Sequence, residues 1–163
     1  MSQPQLYSTE TSWNSDRPHV LVVACSDGRL QEPLDAFLTG ALGIAHYDRL
    51  YLPGGPGALS GAGMEYMRAS RVADELKFLV QAHKIEDVIL MYHGPGEDGP
   101  EEALCADYRR IYPRHDAERI RQQQVSDTKE ILAGPLRYFP ADHVHPYRME
   151  VNGKRGIDVR LLR

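Results

Sequence analysis

Residues 19–25 read "HVLVVAC", an unbroken apolar stretch dominated by β-branched side chains. A strand with one wet face alternates polar and apolar residues; a strand that does not alternate is covered on both faces, as in a parallel sheet clad by helices. The stretches "DRLYLP" (48–53) and "EDVILMYH" (86–93) have a similar character. Between them, Ala69, Val72, Ala73, Leu76, Leu79 and Val80 recur at helical spacing within residues 61–83. The pattern is strand, helix, strand, for which a right-handed crossover is the rule.

Three more helices are expected. The first covers 33–39, with Pro33 near its start and Gly40 past its end. The second begins near Pro100, with Glu101 and Glu102 in its first turn, where carboxylates favour the helix dipole. The third covers 117–132. Residues 147–162, "YRMEVNGKRGIDVRLL", alternate about Asn152-Gly153, a hairpin signal that places an antiparallel pair at the sheet edge. The expected fold is α/β: a three-layer arrangement with a mostly parallel central sheet, flanking helices and a C-terminal antiparallel hairpin. At 163 residues, positions 19–163 make one domain and positions 1–18 a polar N-terminal arm without an apolar core segment.

A net charge of −4 with no basic stripe argues against nucleic acid as a partner, and no stretch has the length of a membrane span. Two cysteines, Cys25 and Cys105, are too few for a disulfide framework and fit a reducing, cytoplasmic setting.

In open α/β sheets, ligands sit at the carboxyl ends of strands. There this chain places Cys25, Asp27 and Arg29 in "CSDGR", the glycines of "LPGGPGAL", and His93. Thiolate and imidazole suit zinc, and a catalytic zinc needs three protein ligands and an open position, where a bound water reaches a pKa of about 7. Other readings of the same residues stand beside this one. Cys25 and Cys105 can be core cysteines, with Cys105 sharing a helical face with Tyr108 and Tyr112. Asp27 and Arg29 can be an ion pair that supports a turn. His93 can be bonded to backbone, and Gly54, Gly55 and Gly57 can form either a tight turn or an anion cradle. Cys25 can also be a metal-free nucleophile activated by Arg29.

The "CSDGR" element followed by a strand-end His93 resembles the β-class carbonic anhydrases, in which Cys-Ser-Asp-Ser-Arg ends one strand and Gly-His-x-x-Cys ends a later one. "EPLDAFLTGALG" and "DRLYLPGGPGAL" occupy the places of that family's intervening helix and next strand end. The resemblance implies a zinc lyase that hydrates carbon dioxide to bicarbonate, or a close analogue such as carbonyl sulfide or carbon disulfide, by a zinc-bound hydroxide. It makes Cys25 and His93 zinc ligands and Asp27 with Arg29 the catalytic pair that orients the hydroxide. It also implies a homodimer or higher homo-oligomer. The chain departs from the family pattern where the second cysteine belongs, because Gly96 stands there. Cys105, expected in the second turn of the helix from Pro100, is the replacement Zn2+ ligand, with Asp98, Glu101, Glu102 and His115 as other candidates. "LPGGPG" also lacks the family's Arg and Asn, and the arm lacks its glutamine-bearing helix. The alternative is a non-catalytic, carbonic anhydrase-like binding or regulatory protein that has lost its third ligand.

Overall fold

A computed structural model describes residues 6–163 except 62–64. Residues 1–5 of the expected arm and 62–64 of the expected helix over 61–83 lie outside the described residues. The chain forms β1 (Val20–Cys25), α1 (Gln31–Gly40), β2 (Asp48–Leu52), α2 (Tyr66–Ala82), β3 (Asp87–Pro95), α3 (Ala106–Ile111), α4 (Ala117–Ala133), β4 (Val144–Val151) and β5 (Ile157–Leu161).

The five strands make one sheet in the order β2-β1-β3-β4-β5. β1 pairs in parallel with β2 and β3, β3 in parallel with β4, and only β5 runs antiparallel. Val22, Ala24, Ile89, Met91 and Met149 pack against Leu30, Leu34 and Leu38 on and just before α1. On the opposite face Leu21, Val23, Val88, Leu90 and Tyr92 pack against Leu76 of α2 and Ile120 and Ile131 of α4. The sheet is therefore the middle of three layers, which is why β1 and β3 have no alternation. Leu76, Ile120 and Ile131 are fully buried, each contributing about 1.5–3 kcal/mol of transfer free energy.

Several expectations need adjusting. β2 is an edge strand and only half-buried, because Arg49 interrupts its apolar run and it pairs with β1 alone. α1 includes Gly40 rather than stopping before it, and α2 starts at Tyr66. The β4–β5 connection is not a two-residue turn: Val151 pairs with Ile157, and the side chain of Asn152 closes the loop by accepting from the backbone N–H groups of Lys154 and Gly156 at 3.1 and 2.9 Å.

No α-helix starts at Pro100. Glu101–Ala103 form a single 3-10 turn, and Leu104 and Cys105 then extend (ψ 135° and 122°) before α3 begins. Cys105 thus stands at the N-cap position of α3, without a side-chain capping bond, and is not a member of a second helical turn. Residues 6–17 are exposed throughout, including Leu6, Tyr7 and Trp13. No helix among the described residues is long and apolar enough to cross a membrane.

Candidate metal centre

Cys25 is the last residue of β1, and the adjacent strand β3 is registered so that Ala24 lies opposite Met91. His93, two residues further along β3, therefore emerges beside the end of β1. The chain leaving β2 passes tightly over the same point. Gly55 has φ +55°, and a Cβ there would sit 2.8 Å from the backbone nitrogen of Cys25. That close approach accounts for a glycine in "LPGGPG" by packing.

Cys105 reaches the same place from the far side of an eleven-residue connection after His93. The connection is pinned to the β4–β5 hairpin: Gly96 N–H donates to Val151 C=O at 2.8 Å, and Asp98 accepts from Gly153 N–H at 3.1 Å.

One ligand atom each from Cys25, His93 and Cys105 forms a group in which all lie within 4.8 Å of one another. The two Sγ atoms are 3.9 Å apart. His93 is 3% exposed, and its Nδ1 lies 3.2 Å from the carbonyl oxygen of Ala103. A carbonyl only accepts, so Nδ1 carries a proton, and in the neutral ring Nε2 is the nitrogen with the free lone pair. Nε2 is buried and has no hydrogen-bond partner among the described residues. Leaving such an atom unsatisfied costs about 1–3 kcal/mol, and a cation held with the two sulfurs is what this donor set would satisfy.

The two thiols are close enough for one to donate to the other. The hydrogen bond from Cys105 pulls the Cys25 thiol far below the usual thiol range, against its desolvation, and the same bond together with burial pushes Cys105 up.

The other candidate ligands are engaged elsewhere. Asp98 holds the hairpin, Glu101 pairs with Arg109 at 2.6 Å, Glu102 with Arg155 at 3.3 Å, and His115 lies against the Tyr112 ring. None belongs to the cluster.

Asp27 caps the short turn Gly28–Leu30, accepting from Arg29 N–H at 3.1 Å. Its carboxylate also takes the Arg29 guanidinium side-on, with Nε at 2.9 and 3.1 Å and Nη2 at 2.5 Å. Arg29 holds the Asp27 carboxyl down to about 2, against a usual 3.8. The pair therefore supports the turn and presents an ionised acceptor. Asp27, Arg29, His93, Glu102 and Arg155 line a cavity of about 190 Å³ completed by Leu30, Val151 and Ile157 among others. That is room for a molecule of a few heavy atoms alongside water.

No protein-family model matches the chain, and no curated protein matches it. Among solved structures it is similar to a carbonic anhydrase from Streptococcus mutans, with 18% identity, a TM-score of 0.48, and coverage of 96% of this chain and 88% of that one. It is also similar to β-carbonic anhydrase isoform I of Trichomonas vaginalis (13%, TM-score 0.45, 94% and 88%). A third is the β-carbonic anhydrase CafD of Aspergillus fumigatus (17%, TM-score 0.41, 87% and 88%). What this chain can do chemically is set by its own donor atoms.

Two polar residues near the cluster carry no sequence signal. Gln124, in "RQQQV", and Arg148, in the alternating "YRMEV", are each 1% exposed. Gln124 Nε2 donates to the carbonyl oxygen of His93 at 3.0 Å, and Arg148 Nε donates to Gln124 Oε1 at 2.9 Å. Burial pulls the Arg148 guanidinium down while Glu150 opposes the shift.

Proposed function

We propose that the protein holds one zinc ion through Cys25, His93 and Cys105 and hydrates carbon dioxide, or a close analogue such as carbonyl sulfide or carbon disulfide. The observation that carries this reading is the buried Nε2 of His93, without a hydrogen-bond partner among the described residues and grouped with two thiols within 4.8 Å. Two thiolates and one neutral imidazole are a borderline-soft set suited to zinc, with a fourth position left for solvent. When bound, zinc lowers the pKa of a water to about 7 and so supplies a nucleophile at neutral pH.

The chain's own residues do the rest. Ala103 C=O fixes the His93 tautomer so that Nε2 is the donor. Arg29 keeps Asp27 ionised, and the carboxylate accepts the nucleophile's proton as a hydrogen bond, aiming a lone pair at the substrate carbon. Leu30, Val151 and Ile157 give the cavity apolar wall for an uncharged substrate. The released proton passes to solvent, and bicarbonate leaves past Arg29 and Arg155.

The non-catalytic alternative starts from a ligand set short by one. The position of Cys105 beside Cys25 weighs against that premise. Stopped-flow hydration with a pH indicator, run on carbon dioxide and then on carbonyl sulfide, tests the reading. Zinc-loaded protein that accelerates neither reaction would leave the binding-protein alternative standing.

A further inference from the structure

The side of β3 turned away from the cavity explains how His93 is kept in place. β3 runs on past its last pairing with β1, at Met91, and is laddered from there on one edge only, to β4. In this half-supported segment two buried side chains take the main-chain carbonyls on either side of Gly94. Gln124 of α4 donates to His93 C=O at 3.0 Å, and Arg148 Nη2 of β4 donates to Pro95 C=O at 3.1 Å. The two are joined to each other at 2.9 Å, and Arg148 Nη1 reaches Glu150 at 2.6 Å.

Gly94 makes the contact possible, because a Cβ there would collide with Nη2 of Arg148. A buried guanidinium is expensive to desolvate, and apolar side chains would often fill such a site at lower cost. This one has every arm committed, to Gln124, Glu150 and the strand that bears His93.

We infer that Gln124 and Arg148 are positioning residues for the metal ligand, clamping the His93 main chain so that Nε2 stays aimed at the two thiols. The inference rests on the metal-binding reading above. Ala103 fixes the ring from one end of the imidazole, and the clamp fixes the peptide from which the ring springs. Outer partners of this kind are worth about 10- to 100-fold in metal affinity.

The test uses Co2+ as a spectroscopic probe on the full chain. Gln124→Glu keeps an acceptor for Arg148 and pairs its charge, yet has no donor for His93 C=O. Arg148→Lys keeps the charge but cannot reach Gln124, Glu150 and Pro95 together. Both variants should show shifted ligand-field and thiolate-to-cobalt bands and a Co2+ Kd raised by about tenfold or more. A purely structural role would lower the melting temperature and leave the bands and Kd of the folded protein unchanged, and that result would overturn the clamp. So would failure of both variants to fold, since the residues would then serve the fold at large. A parent chain that takes up no Co2+ overturns the metal reading itself, a failure told apart because it appears in the parent.

Discussion

The Sγ atoms of Cys25 and Cys105 lie 3.9 Å apart although 80 positions separate the two residues in the chain. The strand end of β1 and the cap of α3 thus meet at one point, with His93 supplying the third donor atom.

The first expected outcome concerns metal content. Elemental analysis of purified protein should find about one zinc per chain, and Cys25→Ser, His93→Ala and Cys105→Ser should each lose most of it. Cys105→Ser is the most informative of the three. If it keeps its metal and merely loses some stability, the thiol is a core cysteine and the ligand set is wrong.

Asp27 and Arg29 lie beside the donors without belonging to the cluster. Asp27→Asn and Arg29→Ala should therefore keep zinc near the parental level while the hydration rate drops by roughly a hundredfold, the scale expected when an orienting partner is lost. Parallel metal and stopped-flow measurements check this. Full activity in both variants would reduce the pair to a turn support.

The same pair makes a prediction about acid stability. An acid whose folded pKa lies below its unfolded value lends stability above the unfolded value and loses it as pH falls through the folded one. For Asp27 the window runs from about 4 down to about 2. Urea midpoints of the parent and Asp27→Asn should differ most at neutral pH and converge by the acid end of that window. Arg29 is largely exposed, so screening by solvent keeps the difference small.

Assembly gives a fourth test. β5 is an edge strand with Leu161 half exposed, and an open edge of this kind is a natural pairing surface. Light scattering at micromolar concentration should return at least twice the 18.4 kDa of one chain. A strictly monomeric mass counts against the oligomer that the family resemblance implies.

The sheet was legible because burial on both faces leaves a local mark: "VLVVA" and "VILMY" have no polar interruption. Cys25, Asp27, Arg29 and His93 could be picked out because they stand where those runs stop. The segment after His93 was harder to read. Pro100 with Glu101 and Glu102 has the composition of a helix start, but nothing local reports that Leu104 and Cys105 extend to carry the thiol back across the strand end. Gln124 and Arg148 were out of reach for a different reason. Arg148 alternates with Tyr147 and Met149 as a solvent-facing residue of an edge strand would, and only the covering of that face by α4 turns it inward. Tertiary cover of this sort has no period to detect.

The connection between His93 and Cys105 is held in place by Val151 and Gly153, at the far end of β4. During synthesis all three donor residues leave the ribosome well before that hairpin exists. A nascent chain presenting Cys25, His93 and Cys105 therefore has its ligands in hand but not their spacing. Metal capture should be a late event in biogenesis, following the docking of β4 and β5, and a chain stalled before the hairpin should expose two free thiols to whatever oxidants surround it.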